Sequence, residues 1–184
     1  ESAPTGPVNY YGYSKLAGER LIANSGCAHL VFCTSWVYGT QGNNFAKTMM
    51  RLAQEKEELS IVGDQVGVPT GADLIADVTA HAIRSYLQGM PGMAREDLSG
   101  IYHLVPDGET SWFEYASLVF GQLRKKGVPL ALKQAHAVAT EQYPTPAKRP
   151  LNSRLCNQKI KDVFALHLPG WEPGVCRLLD EIVA

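Results

Sequence analysis

A tyrosine and a lysine four residues apart, Tyr11 and Lys15, carry the clearest chemical potential in this chain. On a helix, side chains at that spacing share one face, a turn apart. A phenol so placed can deliver a proton to a ketone oxygen as hydride reaches the carbon. A free phenol, with a pKa of about 10, is a poor proton donor and acceptor near neutrality. A neighbouring ammonium favours the phenolate, by about 4 kcal/mol at ~4 Å and an effective dielectric near 20, before other effects offset it. Spacing alone does not single the pair out. Eight tyrosines and nine lysines in 184 residues give about 0.4 such pairs by chance, and a helix-surface Tyr–Lys pair is the simpler alternative. Tyr10 and Tyr13 are not equivalent candidates, because Ser14 and Ala17 occupy their +4 positions.

Few other residues have chemistry-bearing spacing. Cys27, Cys33, Cys156 and Cys176 form no C-x-x-C pair and stand near no histidine at ligand spacing. Cys33 lies in the apolar run Leu30 to Cys33, where a buried, reduced thiol is expected. Inert thiols fit a cytoplasmic chain of this size, which has little need of disulfides. His81 falls in a helical pattern and His103 in a strand-like one, so packing roles are expected for both. A net charge of −1 leaves no electrostatic footprint for nucleic acid or an anionic membrane. No apolar run approaches the ~20 residues needed to span a bilayer, and the chain opens on no signal-peptide pattern. With 45% hydrophobic residues, 184 positions suffice for one packed domain but not for two of full size.

The elements that must position the pair follow from periodicity and punctuation. Residues 1–10 are turn-rich and feed a helix from Tyr11 to Ser25, with Gly26 ending it. His29 to Thr34 is expected to be a buried strand and Ser35 to Asn43 a loop. A helix over Asn44 to Lys56 and a strand over Leu59 to Val62 come next. Gly63 to Gly71 is expected as a loop, Asp73 to Leu87 as an amphipathic helix, 89–99 as a loop, and Ile101 to Val105 as a strand. Ser111 is placed to cap a helix reaching Lys126, with Lys125 and Lys126 at its negative end. After Gly127 the chain is expected to be more irregular, and the prolines of Tyr143 to Pro150 forbid regular structure there. Short helices near 157–164 and 172–183 close the chain. Alternating strands and helices define an α/β class with parallel pairing.

Context then sharpens the reading of Tyr11 and Lys15. The run from Pro7 to Glu19 (PVNYYGYSKLAGE) closely resembles the catalytic helix of extended short-chain dehydrogenases/reductases. Thr34 to Gly39 (TSWVYG) and Gly42 to Met49 (GNNFAKTM) resemble the segments that follow it in the dTDP-4-dehydrorhamnose reductase family. Asp64 to Ala72, Gly100 to Leu104 and Arg149 to Leu155 resemble further segments of that family, in the same order. The resemblance implies the C-terminal part of a Rossmann-like parallel sheet with a small substrate-binding α/β lobe. Residues 1–62 would carry the catalytic helix and the end of the Rossmann-like domain. Residues 63–184 would form most of the substrate lobe, with segments returning to the sheet. It also implies reduction of the 4-keto group of dTDP-4-dehydro-L-rhamnose by NADPH or NADH, giving dTDP-L-rhamnose for cell-surface polysaccharide precursors. Tyr11 would then be the proton donor, Lys15 would hold the nicotinamide ribose and tune Tyr11, and Trp36 would line the sugar pocket.

Other carried-over roles have ordinary alternatives. Asn43 and Asn44 could meet substrate or simply serve a turn and a helix cap. Lys148, Arg149 and Arg154 could meet the diphosphate or form surface ion pairs. Some members of the family resemble one another in a magnesium-linked homodimer, for which Asp73 and Glu181 stand at compatible positions; an acidic residue at a helix start is also an ordinary dipole partner.

The sequence departs from the family in two respects. No G-x-G-x-x-G or G-x-x-G-x-x-G follows a strand, and the upstream Ser/Thr that orients the substrate carbonyl is missing. The expectation is therefore a fragment with an open strand edge and exposed apolar surface, prone to self-association and unable alone to bind dinucleotide tightly or turn over. The rival is a non-catalytic regulatory or scaffold protein, since the resemblance extends to the regulatory subunit of methionine adenosyltransferase. An epimerase or dehydratase of the same superfamily is a further alternative.

Overall fold

The structure, a computed structural model, describes residues 1–143 and 149–183. Two hydrophobic cores organise it, each built on one parallel strand pair. In the first, β1 (Leu30–Cys33) pairs with β6 (Gly100–His103), Leu30 opposite Gly100 and Cys33 opposite His103. Helices α3 (Ala72–Gln88) and α5 (Gln158–Phe164) cover this pair and close a core around Tyr102, Leu104, Phe164 and Ile160. The Tyr102 phenol is satisfied there, donating to the Leu98 carbonyl at 2.8 Å.

The second core lies between β3 (Glu58–Val62), paired in parallel with β8 (Gln134–Val138), and helices α2 (Phe45–Glu55), α4 (Trp112–Lys125) and α6 (Trp171–Ile182). The sequence dictates α4 locally. Ser111 accepts from the Glu114 amide at 3.1 Å, and Glu114 reaches back to the Ser111 amide at 2.9 Å, a reciprocal cap. At the other end Gly127 takes φ +72° and the Val128 amide bonds the Leu123 carbonyl, so the helix stops where the lysines meet its negative pole.

Two-residue strands tie the cores together: β2 (Val37–Tyr38) with β5 (Thr70–Gly71) in parallel, and β4 (Val66–Gly67) with β7 (Thr110–Ser111) antiparallel. The α/β class is as expected, with three points of difference. The β4–β7 pair is antiparallel where parallel pairing is expected. The presumed loops 35–43 and 63–71 contain β2, β4 and β5, which are too short to show a period. Most plainly, the stretch after Gly127 is not all irregular: it holds β8. Its sequence Gln-Ala-His-Ala-Val is weak in strand-forming residues, so pairing with β3 rather than local preference makes it a strand.

Helix α1 (Tyr10–Ala23) stands apart from both cores. Asn9 caps it, accepting from the Gly12 amide at 2.9 Å, but none of its residues is buried. Val8, Tyr10, Tyr11, Tyr13, Leu21 and Ile22 are all exposed. Among the described residues β1 has a partner on one side only, so the expected open edge is present. No helix among them is long and apolar enough to cross a membrane.

Candidate active site

Helix α1 brings Tyr11 and Lys15 together as their spacing requires. The Lys15 ammonium lies over the Tyr11 ring, 5.3 Å from its centroid. Tyr11 is 70% exposed, so the phenol is open to a ligand. The helix is anchored to β1 by a polar contact, the Cys33 thiol donating to Glu19 Oε1 at 3.4 Å. That thiol is half-buried rather than fully buried, and burial together with Glu19 pushes its pKa up to about 11, which keeps it protonated and unreactive. The four cysteines are all free.

Trp36 hangs from the loop after β1, and sequence gives no hint of its partner. Its indole stacks on Trp112 at the start of α4, ring centroids 3.7 Å apart and planes 17° from parallel. The backbone reaches this position with φ +46° at Trp36, a left-handed conformation unfavourable for a bulky residue. Two neighbours hold it. The Trp36 carbonyl accepts from the Thr70 amide at 3.3 Å. Gly67 leaves room for the ring, because a Cβ there would meet Trp36 Cε2 and Cζ2 at 2.8 Å.

Beyond Trp112 opens a cleft of about 440 Å³ between α2 and β3. Phe45, tilted against Trp112 at 4.5 Å, forms its aromatic wall with the Trp112 indole. Met49, Leu52 and Ile61 make an apolar floor, and Gln65, Tyr143 and Arg149 supply polar edges. A flat aromatic wall over an apolar floor, with a guanidinium at the edge, suits a planar, negatively charged ligand.

The remaining candidates divide. Arg149 lines this cleft. Arg154 does not: it forms a two-pronged pair with Glu109 at 2.6 and 3.2 Å. Lys148 lies outside the described residues. Asn44 is the cap of α2, accepting from the Lys47 amide at 3.1 Å while donating to the Gly39 carbonyl at 2.7 Å. Asn43 lines a separate shallow cavity with Val37 to Gln41. The two histidines make polar contacts where packing roles are expected: exposed His81 bonds the Phe164 carbonyl at 3.0 Å, and His103 bonds the Cys156 carbonyl at 3.1 Å.

Asp73 and Glu181 do share a cavity, with Tyr38, Asp77 and Arg177. Asp73 is ion-paired with Arg177, however. No three His, Cys, Asp or Glu side chains converge as metal ligands among the described residues. Within the one chain, the positive charge that Asp73 faces is the Arg177 guanidinium.

Comparison with known proteins agrees with this architecture. The family described as RmlD substrate binding domain matches residues 1–184. The dTDP-4-dehydrorhamnose reductase of Escherichia coli K12 is 54% identical over 182 residues, 99% of this chain and 59% of the relative. The Burkholderia thailandensis protein of the same name is 44% identical over 95% of the chain and 59% of its own length. A crystal structure of the Bacillus anthracis dTDP-4-dehydrorhamnose reductase in complex with NADP superposes with a TM-score of 0.84 at 33% identity, covering 98% of this chain and 58% of that one. Thermus thermophilus UDP-glucose 4-epimerase in complex with NAD shares the fold with a TM-score of 0.73 at 16% identity, over the whole chain and 57% of its own. The chain thus spans about 59% of the length of the curated relatives it matches. Matched over residues 1–184 by that family's model, the chain belongs to the RmlD substrate binding domain family.

Proposed function

We propose that this chain is the sugar-nucleotide-binding part of a dTDP-4-dehydrorhamnose reductase, acting on the 4-keto group of dTDP-4-dehydro-L-rhamnose to give dTDP-L-rhamnose. The observation that carries the reading is the Tyr11–Lys15 pair, side by side and open on α1, in a chain 54% identical to a protein of that name. A nicotinamide cofactor, NADPH or NADH, supplies the hydride when bound. The residues present fit such a partner: Tyr11 and Lys15 project from a helix with no buried residue, so a planar ring and a ribose can approach both. Lys15 donates to ribose hydroxyls and holds positive charge beside Tyr11. Tyr11 gives its proton to the substrate oxygen, and the lysine ammonium stabilises the phenolate left behind. Trp36 bounds the sugar, and the cleft of Phe45, Trp112 and Arg149 takes the nucleotide. In this scheme the β1–β6 core serves the cofactor side and the β3–β8 core the nucleotide side.

The test is a chimaera in which this chain replaces the matching part of the Escherichia coli relative. NAD(P)H oxidation on dTDP-4-dehydro-L-rhamnose should be retained in the chimaera and fall by about 10²–10⁴ with Tyr11→Phe, the usual span of a general acid. Full activity in Tyr11→Phe would refute the assignment.

A further inference from the structure

We propose that Gln65 is a positioning residue, which sets the sugar-site wall at Trp36 through a one-way chain of hydrogen bonds that starts at Trp112 and ends on Asp64. The proposal rests on the reading of Trp36 as that wall.

The chain runs along the ends of the paired strands β3 and β8. The Trp112 indole Nε1–H donates to Gln65 Oε1 at 3.2 Å. Gln65 Nε2 donates to Thr140 Oγ1 at 3.1 Å. Thr140 Oγ1 donates to Asp64 Oδ1 at 2.6 Å, and the Thr140 amide lies 3.0 Å from both carboxylate oxygens. Each direction is forced by chemistry. An indole nitrogen can only donate and an ionised carboxylate can only accept, so the amide between them has one workable orientation. Reversing Gln65 would set its NH₂ against the indole N–H. It would also leave donors unpaired at a residue only 7% exposed.

The consequence reaches the site through geometry. One face of Trp112 is covered by Trp36 at 3.7 Å, so a rotation of Trp112 carries the stack with it. Trp36 is also held by the Thr70 amide at its carbonyl and by the space at Gly67, but of these neighbours Trp112 is the one bonded to Gln65. Gln65 also lines the nucleotide cleft, so the group that orients the indole pair is next to the ligand that the pair must meet. Thr140 follows β8, the strand with no sequence signature, which explains how an unremarkable segment enters the site.

The experiment uses the 184-residue chain first. Closely stacked indoles couple their transitions and give a paired circular-dichroism band, which Trp112→Phe should abolish as a reference. Gln65→Met and Thr140→Val should each lose at least half of that band, while Thr140→Ser, which keeps the hydroxyl, should retain it. In the unsubstituted chain, NMR should show the Trp112 indole proton protected from solvent exchange. In the chimaera, Gln65→Met should lower kcat/KM by about tenfold, carried by KM for the sugar nucleotide rather than by kcat. A full band in both Gln65→Met and Thr140→Val, an unprotected indole proton, or an unchanged KM would each overturn the proposal. A chimaera without reductase activity would instead defeat the functional reading and leave the chain of bonds to be judged by the band and the protected proton.

Discussion

Substituting Gly67 by alanine should destabilise the chain by about 2 kcal/mol, and nearly all of that cost should pass through Trp36. The added methyl would stand 2.8 Å from Cε2 and Cζ2 of the indole, against an ordinary carbon–carbon contact of about 3.5–4.0 Å. The ring must therefore give way by roughly 1 Å. It cannot do so freely, because Trp112 stacks on it at 3.7 Å and Trp112 is in turn bonded to Gln65. Forcing a methyl into such a place costs about 1–3 kcal/mol, and a loosened aromatic pair about 0.5–1.5 kcal/mol more. The alanine restricts the unfolded chain, which offsets about 0.4–1 kcal/mol. Urea unfolding followed by far-ultraviolet circular dichroism measures the balance. A loss of about 2 kcal/mol should lower the thermal midpoint by roughly 4–8 °C in a chain of this length. Pairing the change with Trp36→Phe separates the cause, because a smaller ring relieves the clash. The double-mutant coupling should reach about 1 kcal/mol or more. A Gly67→Ala chain as stable as its parent, with the indole band intact, would refute the reasoning.

Removing the cap of α4 with Ser111→Ala should cost about 1 kcal/mol in the same unfolding assay, since the Glu114 amide loses its acceptor. Phe164→Ala, which empties the centre of the β1–β6 core beside Tyr102, should cost about 3–5 kcal/mol. Acid should weaken the fold in a defined window. The Thr140 hydroxyl and amide hold Asp64 below the usual carboxylate range, Asn157 and Lys161 do so for Asp107, and the Ser111 amide and hydroxyl for Glu114. Groups with depressed folded values contribute stability that is complete above their unfolded values, near pH 4, and is lost as pH falls through the folded ones. Stability should thus be level down to about pH 5 and fall below it, with a smaller fall in Asp107→Asn. Alkali should act in the opposite sense on Tyr38, whose phenol is pushed up to about 12 by burial. Its contribution should be present below pH 10 and disappear as pH rises toward 12, followed by the tyrosinate absorbance of Tyr38→Phe against the parent.

What the sequence disclosed, and what it withheld, follows the range of the interactions. Tyr11 and Lys15 were legible because a helix turn brings them together without help from elsewhere. The Ser111 cap of α4 was legible for the same reason, and so was the amphipathic face of α3, whereas the reciprocal bond from Glu114 came only with the structure. Strand β8 was not, because its alanines have little strand preference and its partner lies some 76 residues upstream. The setting of Trp36 was also hidden: the tryptophan could be carried over from a family, but Trp112, Gly67 and the positive φ that hold it arise only in the folded chain. Gln65 carried no signal in one dimension, since its two partners are 47 and 75 residues away. Its neighbour Asp64 sits in a glycine-rich stretch that resembles a plain loop. Arg154 could have been set aside only by seeing Glu109 opposite it.

The exposed helix α1 has a thermodynamic consequence for the chemistry it bears. A 14-residue helix is close to the length at which isolated helices are only marginally populated in water. With no buried side chain, α1 is held mainly by its own backbone bonds, its Asn9 cap and the Glu19–Cys33 contact. Such a segment opens at a small fraction of the global unfolding free energy, so its amides should exchange with deuterium well before those of α4. The Tyr11–Lys15 geometry exists only while the helix does, which makes proton-donor competence a population as much as a position. Any surface that buries the Val8, Tyr10, Leu21 and Ile22 side chains would raise that population, so covering the helix and arming the pair are one cooperative event.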